Sequence, residues 1–236
     1  MLKVEQPLPG RAYLGCDTSQ CIASADDAQA LLSEGFRFIV RYLPLSGMSA
    51  GVRSLSTDEA ALLTDAGLAV MAVQYGRLRD ISSDTGLADG EVAALALRAV
   101  LSPQVTLWCD MEDVLATPPQ PGALWIGTER PVALQPKTRQ QWLEYATAWC
   151  TGAAKMGAVN LGMYVGAGLP FTSEDLYSLP FRAYWRSCSQ VPNVAHRGYQ
   201  VLQLNRPNIM VGRVTVDIDV IQQDYQGDRP YWAVKG

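Results

Sequence analysis

The sequence predicts an α/β protein, a (β/α)8 TIM-type barrel that turns irregular in its second half, and three observations carry that reading. Short apolar runs alternate with segments of helical period almost from end to end. Eight of those runs have the length and composition of strands buried on both faces. The chain has 236 residues, close to the roughly 250 that one such barrel takes.

The strand-like runs cover residues 12–17, 36–42, 68–76, 105–112, 160–166, 181–187, 199–205 and 214–220, rich in Val, Ile, Leu and aromatic side chains. Helices with readable ends lie between the early ones. Ser24 leads into a helix over 25–34 that Gly35 stops, and Ser56 and Thr57 lead into one over 58–66 that Gly67 stops. Asp89 precedes a helix over 90–101 with Pro103 beyond it, and Pro136 opens a longer helix over 137–156 that Gly157 ends. Strands alternating with helices imply parallel pairing and right-handed crossovers. Further along, 172–179 allows only a short helix, and 189–198 and 206–213 read as loops or brief turns. A loop over 114–135 carries Pro118, Pro119, Pro121 and Pro131 and follows the most acidic strand, which marks it as functional. No repeat or linker divides the chain, so 1–236 is expected to be one domain.

Hydrophobic residues make up 48% and charged residues 18%, a balance that suits a large core and excludes disorder. A net charge of -4 leaves no basic face for nucleic acid, but it is compatible with a polysaccharide. No apolar run reaches the ~18 residues of a membrane span, and 1–11 lacks the basic start and apolar stretch of a secretory signal. The expectation is synthesis in the cytoplasm without a classical signal peptide. Cys16, Cys21, Cys109, Cys150 and Cys188 form no C-x-x-C pair and read as buried thiols. His196 is the only histidine, which excludes multi-histidine zinc sites and disfavours a Ser-His-Asp triad. There is no phosphate loop, dinucleotide fingerprint or G-x-S-x-G elbow. No cofactor and no metal are expected, although Asp17, Asp110 and Glu112 have the oxygen chemistry for Mg²⁺.

The chemistry lies in the acids. Parallel barrels converge their C-terminal strand ends on one face, where catalysis sits. Asp17 closes the first strand, Asp110 and Glu112 the fourth, and Asp217 and Asp219 the eighth. Period-two alternation puts Asp110 and Glu112 on one face, and Asp217 and Asp219 likewise. Closure brings the eighth strand beside the first, with the fourth across the mouth. Crowded, buried carboxyls hold protons near neutral pH, and a protonated acid facing an ionised one is what glycoside hydrolysis needs. Glu112, with the longer reach, is the candidate general acid; Asp110 orients it or balances its charge. Arg41, Tyr42, Gln74, Tyr75, Tyr164, Trp185, Gln203 and Asp219 lie at or near strand ends and supply the aromatic and hydrogen-bonding groups of a sugar pocket.

These segments also resemble a family. GCDTS at the first strand, WCDMED at the fourth and VDIDV at the last are similar to the family 25 glycoside hydrolases, the Chalaropsis-type lysozymes. FIVRYL followed by LSTDEAALLTDAGLAVMAVQYG is similar to the glycoside-hydrolase-like domain of unknown function 1906. The resemblance runs from Tyr13 to Val220. It implies a site of Asp17, Asp110, Glu112 and Asp217, with Glu112 as general acid and Tyr164, Trp185 and Gln203 lining the glycan groove. It also implies peptidoglycan, cleaved after N-acetylmuramic acid, as substrate. The third-strand segment VMAVQYG departs from the lysozyme pattern, and the Pro-rich loop is longer.

The reading is an N-acetylmuramidase-type glycoside hydrolase acting in the periplasm or cell wall, delivered there by a secretion machine or a phage lysis system. The alternative is a glycan-binding barrel without turnover, and a metal-dependent enzyme is the third possibility.

Overall fold

In the computed structural model, which describes residues 2–48, 53–113, 137–205 and 208–236, all eight apolar runs become strands. After an N-terminal strand β1 (Leu2–Glu5) come β2 (Tyr13–Thr18), β3 (Phe38–Leu43), β4 (Ala69–Gln74), β5 (Leu107–Met111), β6 (Leu161–Val165), β7 (Ala183–Arg186) and β8 (Val201–Gln203). A short β9 (Ile209–Val211) precedes β10 (Val214–Ile221), and β11 (Trp232–Lys235) ends the chain. Pairing follows the ring β2-β3-β4-β5-β6-β7-β8-β10 and returns to β2, so eight strands close an α/β barrel.

Seven of the eight are parallel neighbours, but β10 is antiparallel to both β2 and β8. The all-parallel expectation is corrected here. A parallel return needs a crossover of a dozen or more residues, usually with a helix. Only residues 204–213 separate β8 from β10, and part of that link is itself a strand. Residues 209–211, expected as loop or turn, form β9 and pair with Val214–Val216 about Gly212, whose φ of 58° suits the hairpin turn. The C-terminal β11 pairs antiparallel with β1 and touches β4 at Ala233 and Val70, a ribbon the sequence reading did not include.

Five helices are present among the described residues: α1 (Ala25–Ser33), α2 (Thr57–Ala66), α3 (Ser83–Val100), α4 (Arg139–Lys155) and α5 (Ser173–Ser178). Ser24 and Ser56 cap α1 and α2 as expected, each accepting a backbone N–H of the first turn. α4 starts at the Thr138 capping box rather than at Pro136. The Pro-rich loop over 114–135 and Pro136 lie outside the described residues.

The start of α3 is a correction. It begins at the Ser82 capping box, and Asp89, expected before the helix, lies mid-helix and fully buried. Glycines at 86 and 90 weaken helix propensity and hid the first two turns. Their role is in packing. A Cβ on Gly90 would stand 2.0 Å from the Trp149 carbonyl oxygen, and one on Gly86 2.4 Å from that of Tyr145. On α4, a Cβ on Gly152 would stand 2.2 Å from the Leu87 carbonyl oxygen. The two helices meet backbone to backbone.

Register fixes which side chains enter the barrel. Cα partners share a face, so Asp17, Val40 and Met71 line one layer, and Tyr42, Val73 and Trp108 the next. Asp110, Tyr164 and Trp185 follow on the same side. Arg41 with Ala72, and Gln74 with Cys109, point the other way, toward the helices.

Candidate active site

One wall of the barrel mouth is the end of β5. Asp110 and Glu112 share the inward face there, both partly buried. The backbone N–H of Gly76 hydrogen-bonds the Asp110 carboxyl, whose Oδ1 is buried with no partner. Loss of water raises the Asp110 pKa well above the carboxylate range, and the nearby Glu112 and Asp17 charges add to this. Burial also raises the pKa of Glu112. Gly166, just after β6, gives Glu112 its seat, because a Cβ at 166 would meet Glu112 Cβ at 2.3 Å. Replacing Gly166 with alanine must therefore displace Glu112. Any activity that Glu112 carries should then fall about 10²-fold; unchanged kinetics would show that Glu112 needs no such seat.

The facing wall is built by β2, β8 and β10. Asp17 and Asp217 are Cα partners across the antiparallel pair, two acids side by side. Gln203 Nε2 bridges them, 3.1 Å from Asp17 Oδ2 and 3.4 Å from Asp217 Oδ2. Its Oε1 accepts the Tyr164 hydroxyl at 3.0 Å and the Cys188 N–H at 3.3 Å, which orients the amide. Asn208 donates its backbone N–H to Asp217 Oδ1 at 2.6 Å. Below them Asp219 is fully buried and accepts the Trp185 indole N–H at 2.9 Å. Its Oδ2 is buried and accepts no hydrogen bond. Asp219 rises well above the carboxylate range through burial first and the Asp17 charge second, and the two carboxyls share a hydrogen bond. At least one of the two must hold a proton for that bond to form. Tyr42 donates to Asp17 as well. Burial, then the charge of Asp217, carries Asp17 up to about 7.

This wall has a stability consequence. An acid raised from 3.8 to about 7 holds a proton in the folded state that the unfolded chain releases, so stability falls as pH rises between those values. The paired acids Asp175, lowered to about 2, and Asp27, also lowered, work the opposite way but are already ionised by pH 5. Urea unfolding at pH 5 and pH 8 is expected to show the protein less stable at pH 8 by on the order of 1–3 kcal/mol. In Asp219→Asn, whose amide still donates to Asp17 without a proton to lose, the fall should shrink. Equal or greater stability at pH 8 would count against a shared proton.

The structure gathers Asp17, Tyr42, Asp110, Glu112, Tyr164, Trp185, Gln203, Asp217 and Asp219 around one space: the charges of Asp17, Asp110 and Glu112 all act on the Tyr42 and Tyr164 hydroxyls. Tyr164 and Trp185 meet edge to face at 4.8 Å, and Trp108 lies 5.8 Å from Trp185. Tyr75 joins the rim through its ring, 4.6 Å from that of Tyr42. Arg41 and Gln74, expected in the pocket, are elsewhere. Arg41 is fully buried behind the sheet, paired with Glu59 of α2 at 2.7 Å. Gln74 donates to the Pro44 and Asp89 carbonyls and accepts the Trp149 indole N–H. Adjacent strand residues face opposite ways, so Arg41 and Tyr42 cannot both enter the lumen. Asp217 and Asp219 are interior residues of a reversed strand, not its closing residues.

Sequence reasoning missed the backbone donors of Asn208 and Gly76 and the brace around Asp89. Asp89 accepts from Arg77, Ser46 and the Tyr145 hydroxyl, tying the loops after β3 and β4 to α3 and α4. Asn208 carries a signal, a positive φ of 59° at a residue type that tolerates it. All five cysteines are free; Cys16, Cys109 and Cys150 are buried, but Cys21 and Cys188 are exposed, which corrects part of the thiol expectation. Among the described residues no group of three or more histidine, cysteine, aspartate or glutamate side chains is arranged to hold a metal ion.

The fold is that of the family 25 glycoside hydrolases and their structural relatives. The Tat-secreted protein Rv2525c of Mycobacterium tuberculosis, solved with L-tartrate, superposes with a TM-score of 0.61 at 14% identity over 89% of this chain and 96% of its own. A family 25 glycosyl hydrolase from Bacillus anthracis gives 0.56 at 15% identity over 92% of each chain. GHIP, a glycosyl hydrolase 25 of Streptococcus pneumoniae described as a virulence factor in host cell invasion, gives 0.56 at 14% over 89% and 87%. No family model and no curated protein matches the sequence. No described helix is long and apolar enough to cross a membrane.

Proposed function

We propose that the protein is a glycoside hydrolase of N-acetylmuramidase type that cleaves bacterial peptidoglycan, with Glu112 as general acid. The observation that carries this reading is the facing pair of acidic walls: Glu112 and Asp110 on β5, and Asp17, Asp217 and Asp219 across the mouth. Glu112 combines a raised pKa, partial exposure and the longer side chain of the two acids on β5, so it can hold a proton and reach a leaving oxygen. Negative charge on the Asp17–Asp217 wall would stabilise the oxocarbenium-like transition state. Asp110, whose carboxyl burial makes reluctant to ionise, lies beside Glu112 on the same wall. The half-buried Tyr42 and Tyr164 offer ring edges and faces to a sugar, whereas Trp185, expected beside them, is buried beneath and braces Asp219 instead.

Peptidoglycan is chosen because the shared fold includes a muramidase from Acremonium alcalophilum and the spore cortex lytic enzyme SleM of Clostridium perfringens. The test is release of reducing ends from purified peptidoglycan by wild type and by Glu112→Gln. Release by the wild type that persists unchanged in the variant would remove Glu112 from the mechanism. Binding without release in both would favour a glycan-binding barrel.

A further inference from the structure

The barrel's outer wall is incomplete between β7 and β8, where residues 187–200 contain no helix. The uncovered flank holds a groove of about 360 Å³, lined by Arg186, Asn193, Tyr199, Leu202, Gln222 and Tyr225 among others. It lies behind the wall that carries the mouth. Arg186 points outward while its neighbour Trp185 points into the lumen, with Leu202 as the outward partner of Arg186 on β8.

Three features of the groove suit one chemistry. Tyr225 is 77% exposed, on an anchored stretch of backbone. Its backbone N–H bonds the Arg197 carbonyl, and its ring carbons lie against Gly198, where a Cβ would come within 3.1–3.4 Å. An exposed aromatic face is what a sugar ring packs against. The Arg186 guanidinium is exposed and makes no hydrogen bond or ion pair with the described residues, yet its charge acts on the Tyr199 hydroxyl inside the groove. An unpaired guanidinium at the edge of a polar groove fits a carboxylate in two-point geometry. Asn193 and Gln222 add amide donors and acceptors; Gln222 spends its Nε2 on the Tyr199 carbonyl and keeps its oxygen.

We infer that this groove is a second glycan-binding site, outside the barrel, selective for glycan that bears a carboxylate, with Tyr225 as the sugar platform and Arg186 as the anion contact. Its place in wall recognition rests on the proposed function, but the site does not. It would hold the polymer on the enzyme's flank while the mouth works on a neighbouring stretch.

The experiment measures binding directly, on the full chain carrying Glu112→Gln so that nothing is turned over. Two probes are used, the soluble disaccharide–tetrapeptide of peptidoglycan and uncharged chitotetraose. Two classes of site are expected for the tetrapeptide probe. Tyr225→Ala should weaken one class for both probes by about tenfold. Arg186→Ala should weaken it for the charged probe alone, with Arg186→Lys restoring part of the loss. Both substituted side chains are exposed, and unchanged unfolding curves would check that the fold is kept. A single class of site indifferent to both substitutions would overturn the inference, as would equal loss of both probes in Arg186→Ala. Reducing-end release by the unsubstituted chain is scored separately. If it is absent while the groove binds, the hydrolase reading falls and the groove stands; if it is present without groove binding, the groove falls.

Discussion

Glu112→Gln is expected to lower reducing-end release by about 10²–10⁴-fold, the usual worth of a positioned general acid, while binding to peptidoglycan changes little. Glutamine keeps the shape and the seat against Gly166 but has no proton to give a leaving oxygen. The pH profile should separate this from simple misplacement. In the wild type the alkaline limb reports loss of the Glu112 proton, and burial places that limb above the ordinary glutamate range. The residual activity of the variant should lack that limb. The same substitution removes a carboxyl that resists ionisation, so the variant should unfold at a higher denaturant concentration at pH 8 and at nearly the wild-type one at pH 4. A variant both inactive and less stable at pH 8 would point to damage rather than lost acid chemistry.

Gly90→Ala is expected to destabilise the fold by about 2–4 kcal/mol, lowering the melting temperature by roughly 5–15 °C. Two effects compete. Alanine gains about 1 kcal/mol in helix propensity over glycine. Against this, its Cβ would lie 2.0 Å from the Trp149 carbonyl oxygen, far inside the ~3.3 Å at which carbon and oxygen normally touch. The obstacle is backbone, so no rotamer change relieves it. α3 and α4 must separate along their crossing, and buried Ala93, Ala94, Trp149 and Ala153 lose packing with them. Packing therefore outweighs propensity. Calorimetry decides: a melting temperature at or above wild type would mean that the helices part at little cost.

The barrel was legible because its signal is local. Eight apolar runs and serine caps such as Ser24 and Ser56 report burial and backbone hydrogen bonding, which each segment carries by itself. The glycines of α3 misled for the same reason, since local propensity argued against a helix whose purpose was contact with α4. Among the site residues, the acids were readable as a set, because carboxylates among apolar strand residues have few other reasons to be there.

What the sequence by itself determined is the strand order, most helix ends and the list of acids at the barrel mouth. The tertiary structure decided the direction of β10, and with it the pairing of Asp217 with Asp17 across an antiparallel ladder. It turned Tyr42 inward and sent Arg41 to Glu59, and it buried Asp219 near Asp17, where both carboxyls resist ionisation. The physical reason is the range of the interactions. Hydrophobic period and capping act within a few residues, whereas register parity, ring closure and the proton affinity of a buried carboxyl depend on neighbours as distant along the chain as residues 17 and 219.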